Sequence, residues 1–264
     1  MATRKDVVVE TIDKHIRILR LNRPDSFNAF GDNLLPELEQ GLRDADADPN
    51  IVITVITGTG KFFSSGADVK QAATRLPLDK VEKPIPPSIE LLRLLIDHTK
   101  VLVIALNGPA VGGGAAWFLG VADLVLCSDT AYAQVPFSAL ALVPEQGCGV
   151  LFPQSVGVRR ATEFLMLGRQ LSAQEMEEWG LVNRIYPSAT FQTDYLSYLR
   201  TNLALNDATS LLETKRLIAG PLREGRMLAV FRAQDALAEM LASGRPGKRF
   251  LEKKGRLGRA RGKL

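Results

Sequence analysis

The chain is 264 residues long, 46% hydrophobic and 23% charged, with a net charge of +4. That supplies apolar material for a substantial core, as one large α/β domain or a domain with a helical appendage, and excludes a disordered chain. Two cysteines, Cys127 and Cys148, are too few for a disulfide framework, and neither has metal-type spacing around it.

The cationic excess gathers near the end, in residues 247–263, with little aromatic interleaving, which argues against a dedicated nucleic-acid platform. No apolar run approaches the roughly eighteen residues a membrane helix needs. Residues 1–10 are short, polar and run into an alternating pattern, so no secretory signal is expected and a reducing compartment is.

In chain order, Val7–Glu10 and Ile16–Leu21 are β-branched runs split by Asp13-Lys14, which predicts a hairpin. Asp32 is a candidate cap for a helix with apolar positions at Leu34, Leu35, Leu38 and Leu42, ending by Asp48-Pro49-Asn50. Ile51–Thr57 reads as a strand buried on both faces. Leu76–Pro87 holds four prolines and reads as a mobile loop. A helix at Ile89–Ile96 and a strand at Val101–Leu106 follow, then a helix over Gly112–Gly120 and short strands at Ala122–Ser128 and Ala131–Val135. Beyond Gly147 strand signals nearly vanish. Ser172 with Glu175 forms a capping-box pattern before a short helix ending at Gly180. Amphipathic helices are expected at Thr190–Leu205, Asp207–Ala219 and Leu222–Ser243.

Gly112-Gly113-Gly114 follows a strand and a Pro109 turn. Backbone N–H groups there, with no side chain in the way, suit a developing oxyanion, although such a triplet equally serves tight turns or close packing. It is neither a Walker loop nor a dinucleotide fingerprint. Glu145, in Val143-Pro144-Glu145-Gln146-Gly147-Cys148, is the acid of interest, with an exposed glutamate near a helix start as its bland alternative.

Four ordered segments resemble the crotonase (enoyl-CoA hydratase/isomerase) superfamily: Arg23-Pro24-Asp25-Ser26-Phe27-Asn28-Ala29, Phe63-Ser64-Ser65-Gly66-Ala67-Asp68-Val69, Asn107–Gly114, and Gly168–Ala173 running to Trp179–Asn183. The resemblance covers nearly the whole chain. It implies an α/β fold, a crotonase-like spiral of ββα units over residues 1–190, with a helical C-terminal region at 191–264 for trimerisation and coenzyme A contact. It further implies an acyl-CoA thioester as substrate, with coenzyme A part of that substrate and no separate cofactor or metal. A homotrimer or hexamer is implied, with neither nucleic acid nor membrane as partner.

Carried over by position, the resemblance places an oxyanion hole at the backbone N–H groups of Ala67 and Gly113 and substrate contacts at Ser65, Gly66, Asp68, Gly112 and Phe137. Asp68 has local bonding to backbone as its plainer reading. Ala29 is implied as a backbone contact to adenine, with Phe250 near adenine and Lys253 and Lys254 at phosphates; a solvated helix end is the plainer reading of that tail. The family's hydratases use two glutamates, at positions where this chain has Ala116 and Phe137. Their loss counts against adding water, which needs one group to activate it and another to supply a proton.

The Pro144-Glu145 context is similar instead to the peroxisomal Δ3,Δ2-enoyl-CoA isomerase branch, whose Pro-Glu-Gly-Cys pattern Gln146 either interrupts or displaces. The resemblance makes Glu145 the sole acid–base group of an isomerase. Hydratase, dienoyl-CoA isomerase, thioesterase or a non-catalytic acyl-CoA-binding protein are the alternatives. Gly262-Lys263-Leu264 is similar to a peroxisomal address with Gly in place of Ser, so a peroxisomal location is expected, or otherwise a cytoplasmic one. His15 and His98 are read as surface or cap residues, Cys148 as a small buried filler, and Trp117 and Phe118 as core, able instead to narrow an acyl pocket.

Overall fold

The computed structural model describes residues 5–31, 33–68, 87–249 and 252. Asp32, the proline-rich stretch 76–86, Phe250, Lys253, Lys254 and the C-terminal tripeptide, all singled out above, lie outside these residues.

Strands β1 (Val7–Ile12) and β2 (Ile16–Leu21) form the expected hairpin. Its turn places Asp13 and Lys14 in the left-handed region (φ 50° and 65°), the twist that closes a tight antiparallel pair. Helix α1 (Leu34–Ala47) follows, then β3 (Ile53–Gly58), α2 (Pro87–Asp97) and β4 (Val101–Leu106). After β4 come β5 (Ala110–Val111), the four-residue α3 (Gly113–Ala116), β6 (Leu124–Ser128) and β7 (Tyr132–Gln134). The remainder comprises α4 (Cys148–Val156), α5 (Val158–Leu167), β8 (Gln170–Ser172), α6 (Ala173–Glu178), β9 (Arg184–Tyr186), α7 (Phe191–Leu205), α8 (Ala208–Ala219) and α9 (Arg223–Ala242).

The main sheet runs β1-β2-β3-β4-β6-β9, parallel beyond the first hairpin. A second sheet joins β5, β7 and β8. Single parallel bridges, Phe30 with Ala67 and Ser64 with Ala110, link the segments leading up to it. Each pass of the chain therefore crosses the main sheet and then pairs above it, which is the spiral.

Side-chain alternation builds the layers. Leu19, Ile56, Ile104 and Cys127 face the core between the sheets, where Phe63, Phe118 and Phe152 fill the space. Their neighbours Ile18, Val55, Val103 and Leu126 face the opposite side and bury against Phe191, Tyr195 and Leu199 of α7. Both faces being covered explains why these strands read as near-continuous apolar runs.

Three expectations change. The helix predicted over 112–120 is regular only at Gly113–Ala116, and turns carry the chain to residue 121. Strands β8 and β9 appear in the region where strand signals fade, each three residues long and held by sheet pairing more than by propensity. His98 is buried (3% exposed), because α2 ends under the main sheet and its Nε2 meets Thr54 Oγ1 at 2.8 Å. The Ser172–Glu175 capping box forms in both directions. No helix among the described residues is long and apolar enough to cross a membrane.

Candidate active site

Two chain segments meet at the top of the spiral. Asn28, buried and left-handed (φ 53°), accepts from Arg23 N at 2.8 Å and donates to the carbonyls of Thr59 and Phe62 at 3.0 and 2.8 Å. This ties the first turn to the loop after β3. Ser64 Oγ then donates to Asn28 O and accepts from Gly66 N, so Ser64-Ser65-Gly66 is held from below.

Gly66 adopts φ 79°, and a Cβ there would lie 2.7 Å from Val111 O and 2.8 Å from Gly113 N. The two backbones touch because Gly66 has no side chain. Gly112 is the second glycine that conformation requires, at φ 58° and ψ −126°. Its N–H donates to Gln134 O, and its carbonyl accepts from Ala115 and Ala116. Among the described residues, the N–H groups of Ala67 and Gly113 donate to no acceptor. Ala67 is exposed and Gly113 buried, so the pair opens from the interior toward solvent.

Glu145 is half-buried in the turn before α4. Its Oε1 accepts from Trp117 Nε1 at 3.0 Å. Burial pushes the carboxyl up to about 6, and the Trp117 hydrogen bond works against that rise. Trp117 lies one helical turn beyond Gly113, with its own N–H on Gly113 O at 3.0 Å. A Cβ on Gly113 would meet Trp117 Nε1 at 3.2 Å. One indole ring thus separates the carboxyl from the paired backbone donors. Sequence reasoning placed Trp117 in the core, where it is (8% exposed), and missed its bond to Glu145.

The other predicted positions fall as follows. Ser65 is half-buried, its N–H on Phe27 O and its hydroxyl near Ser26 O. Ala29 is buried, its N–H on Ser26 O and its carbonyl accepting from Arg23 Nη1. Asp68 Oδ2 lies 3.5 Å from Arg23 Nη2, a charge partner that the sequence did not indicate. Ala116 and Phe137 are both buried and apolar, so neither presents a polar side-chain atom to the site. Cys148 is buried and its thiol is pushed up by burial and then by Glu145, which fits a filler. Gln146 is buried and takes φ 54°, a conformation glycine adopts without strain, and Gly147 follows at φ 75°.

Among the described residues no group of three or more His, Cys, Asp or Glu gathers for a metal. Two clefts elsewhere carry paired charges: Arg200 with Asp13 in one, Arg216 with Glu213 and Arg223 with Asp97 in the other.

A spiral of this topology, with the Glu145 carboxyl near two amides that donate to no acceptor among the described residues, agrees with the comparisons to known proteins. The enoyl-CoA hydratase/isomerase family matches residues 11–242, and the chain belongs to that family. It is 36% identical over 201 residues to the peroxisomal enoyl-CoA delta isomerase 3 of Mus musculus, an alignment covering 75% of this chain and 62% of that protein. The chain therefore spans under two thirds of that relative's length. It is 30% identical over 224 residues to 1,2-epoxyphenylacetyl-CoA isomerase of Escherichia coli K12, covering 81% of this chain and 82% of the relative. The crystal structure of an enoyl-CoA hydratase/isomerase from Pseudoalteromonas atlantica superposes with a TM-score of 0.85 at 29% identity, over 94% of this chain and 98% of that one.

Proposed function

We propose that this protein is a Δ3,Δ2-enoyl-CoA isomerase, acting in the oxidation of unsaturated acyl chains. One observation carries the reading: the half-buried carboxyl of Glu145 lies one indole ring from the N–H groups of Ala67 and Gly113, which donate to no acceptor among the described residues, while Ala116 and Phe137 are buried and apolar. Glu145 takes the proton from C2 of a 3-enoyl thioester. The thioester oxygen, gaining charge, is held by the N–H groups of Ala67 and Gly113, each worth about 3 kcal/mol in a water-poor site. Glu145 returns the proton at C4, and the double bond comes to rest in conjugation with the thioester. A carboxyl near 6 suits both directions of transfer close to neutral pH.

Adding water requires a second polar group to activate it, and the buried Ala116 and Phe137 supply none. Ser65, Gly66, Asp68 and Gly112 shape the thioester end, Phe137 lines the acyl side, and Ala29, Phe250 and Lys253 serve the coenzyme A moiety. No cofactor beyond the substrate's own coenzyme A enters this reaction. Assembly as a homotrimer or hexamer through the helical region 191–264, and a peroxisomal location, belong to the same proposal; the murine relative's name supports the location.

The test is turnover of trans-3-enoyl-CoA, followed by the appearance of the conjugated thioester, for wild type and Glu145→Gln. The expected loss in the variant is on the order of 10²–10⁴-fold. A wild type that binds the thioester without isomerising it overturns the reading in favour of a binding protein, and one that hydrates or hydrolyses its ligand overturns it in favour of a related enolate enzyme.

A further inference from the structure

We propose that Trp117 is a positioning residue for Glu145: its indole N–H holds Oε1 and leaves Oε2 as the atom that carries the proton. The proposal rests on the reading of Glu145 as the acid–base group. Nothing in the sequence couples these residues, which lie 28 positions apart and meet only in the fold.

The chemistry of the partner is the first argument. An indole N–H donates and cannot accept, so it bonds a carboxyl oxygen only through a lone pair. In the carboxylate, Oε1 accepts from Trp117 at 3.0 Å. When the C2–H bond of the substrate breaks, its electron pair enters the dienolate and the proton joins Oε2. Oε1 then becomes the carbonyl oxygen of the acid and still accepts from the indole. When C4 takes the proton, the Oε2–H bond breaks and the carboxylate returns with the same bond in place. A partner that can also accept, such as a hydroxyl or a water, would let the carboxyl rotate once protonated. A donor-only partner keeps one orientation through both half-steps, which a single carboxyl serving two carbons requires.

The indole is itself fixed. It stacks on Phe30 with centroids 4.5 Å apart and planes at 28°. Phe30 meets Phe118 edge-on, and Phe118 meets Phe63 in the same way. A Cβ at Gly113 would run into Phe30 Cε2 at 2.8 Å, so the glycine whose N–H faces the site is also the one that admits these rings. The turn of helix that presents the Gly113 amide thereby presents the anchor for Glu145, and the distance between proton carrier and oxyanion donors is set within one rigid unit.

The electrostatic surroundings leave Trp117 as the counterweight to burial. On its own loop Glu145 has Cys148 nearby, whose raised thiol stays neutral. Helix α9 packs over Gly147 through Val230 and the Arg226 backbone, with the Arg226 guanidinium turned to Gln154 Oε1 at 3.0 Å. Helix α3 and its following turn contribute the indole donor. Removing that donor raises the carboxyl further.

Trp117→Phe keeps a ring on Phe30 and deletes the donor. The expected result is a kcat lower by about 10–100-fold with KM within about threefold, and an acid limb of kcat/KM moved to higher pH. A packing defect alone would not move that limb. A second measurement needs no turnover. The chain has two tryptophans, so Trp179→Phe leaves Trp117 as the sole emitter, and its fluorescence should titrate with a midpoint of about 6. Adding Glu145→Gln should abolish that titration. An emission flat between about pH 4 and about pH 8, or a Trp117→Phe enzyme with wild-type kcat and an unmoved acid limb, overturns the proposal. A titrating emission in a protein that isomerises nothing supports the Trp117–Glu145 pair and sinks the isomerase reading alone.

Discussion

Gly66 lies so close to Gly113 that a Cβ on the first would sit 2.8 Å from the amide nitrogen of the second. The contact joins the loop after β3 to the turn after β5 and sets the spacing of the Ala67 and Gly113 N–H groups. Gly66→Ala is therefore expected to do two kinds of damage. The left-handed φ of 79° and the clash with Val111 O cost about 2–3 kcal/mol of stability. The displaced donors cost on the order of 10²-fold in kcat. Urea melts and steady-state rates on the same preparation check both. A variant that loses stability but keeps kcat would show that the close approach does not set the donor spacing.

Glu145 should oppose folding at neutral pH. Its carboxyl stands at about 6 against an ordinary 4.5, so the folded protein holds the proton more tightly than the unfolded chain. The stability this provides is complete below about 4.5 and is lost as pH rises through about 6, a difference of roughly 2 kcal/mol. Glu145→Gln keeps an oxygen for the Trp117 N–H and carries no charge. It is expected to be more stable than wild type by up to about 2 kcal/mol at pH near 7 and equal to it at pH near 4. Denaturant midpoints at the two pH values test this. A mutant less stable than wild type at neutral pH would refute it.

How much was legible in the sequence follows from which interactions are local. The hairpin turn at Asp13-Lys14 and the Ser172–Glu175 box depend on neighbours a few residues away, and both form, while the run 51–57 was legible from its apolar β-branched composition and forms the strand Ile53–Gly58. The glycines at 66 and 114 mark places where backbone approaches backbone, against Val111 O and Ser64 O, while Gly112 supplies a positive φ and Gly113 leaves room for the rings of Phe30 and Trp117. The Trp117–Glu145 bond was not legible, because a tryptophan after a glycine triplet has the same appearance whether or not its N–H finds an acid. His98 was misread for a related reason. A histidine at a helix end resembles a surface cap until the sheet is seen to lie over it. Gln146 is the remaining case. Sequence left the turn open, and the structure puts Gln146 itself in the left-handed conformation, so the turn keeps a glycine-like shape with a different residue.

His98 predicts acid sensitivity distinct from that of Glu145. Burial pushes it down to about 4, with Lys215 and then Lys100 disfavouring its charge and Asp46 favouring it. The folded state keeps it neutral while the unfolded chain takes up a proton below 6.5. Stability is thus fully present above 6.5 and is lost as pH falls through about 4. His98→Asn preserves a polar group opposite Thr54 and removes the titration. Its melting temperature should fall less steeply than that of wild type over this window. Parallel slopes for the two proteins would show that His98 is not the group responsible.

Lys215 ties α8 to the sheet. Its Nζ lies 2.7 Å from Asp123 Oδ2 and donates to Lys100 O at 2.6 Å, with the side chain 9% exposed. Asp123 Oδ2 also accepts from Leu102 N at 2.7 Å, so the carboxylate sits between a strand amide and a helix ammonium. The ammonium is buried while Asp123 is exposed, so removing the carboxylate leaves a buried charge without its partner, at a cost of about 1–3 kcal/mol, whereas removing both charges costs less. Asp123→Asn should therefore destabilise the protein, and Asp123→Asn with Lys215→Met should recover a large part of the loss, because the amide still accepts from Leu102 N and no buried cation remains. A double-mutant cycle in urea measures the coupling. Additive effects would mean that α8 is held by its apolar contacts, with the ion pair contributing nothing.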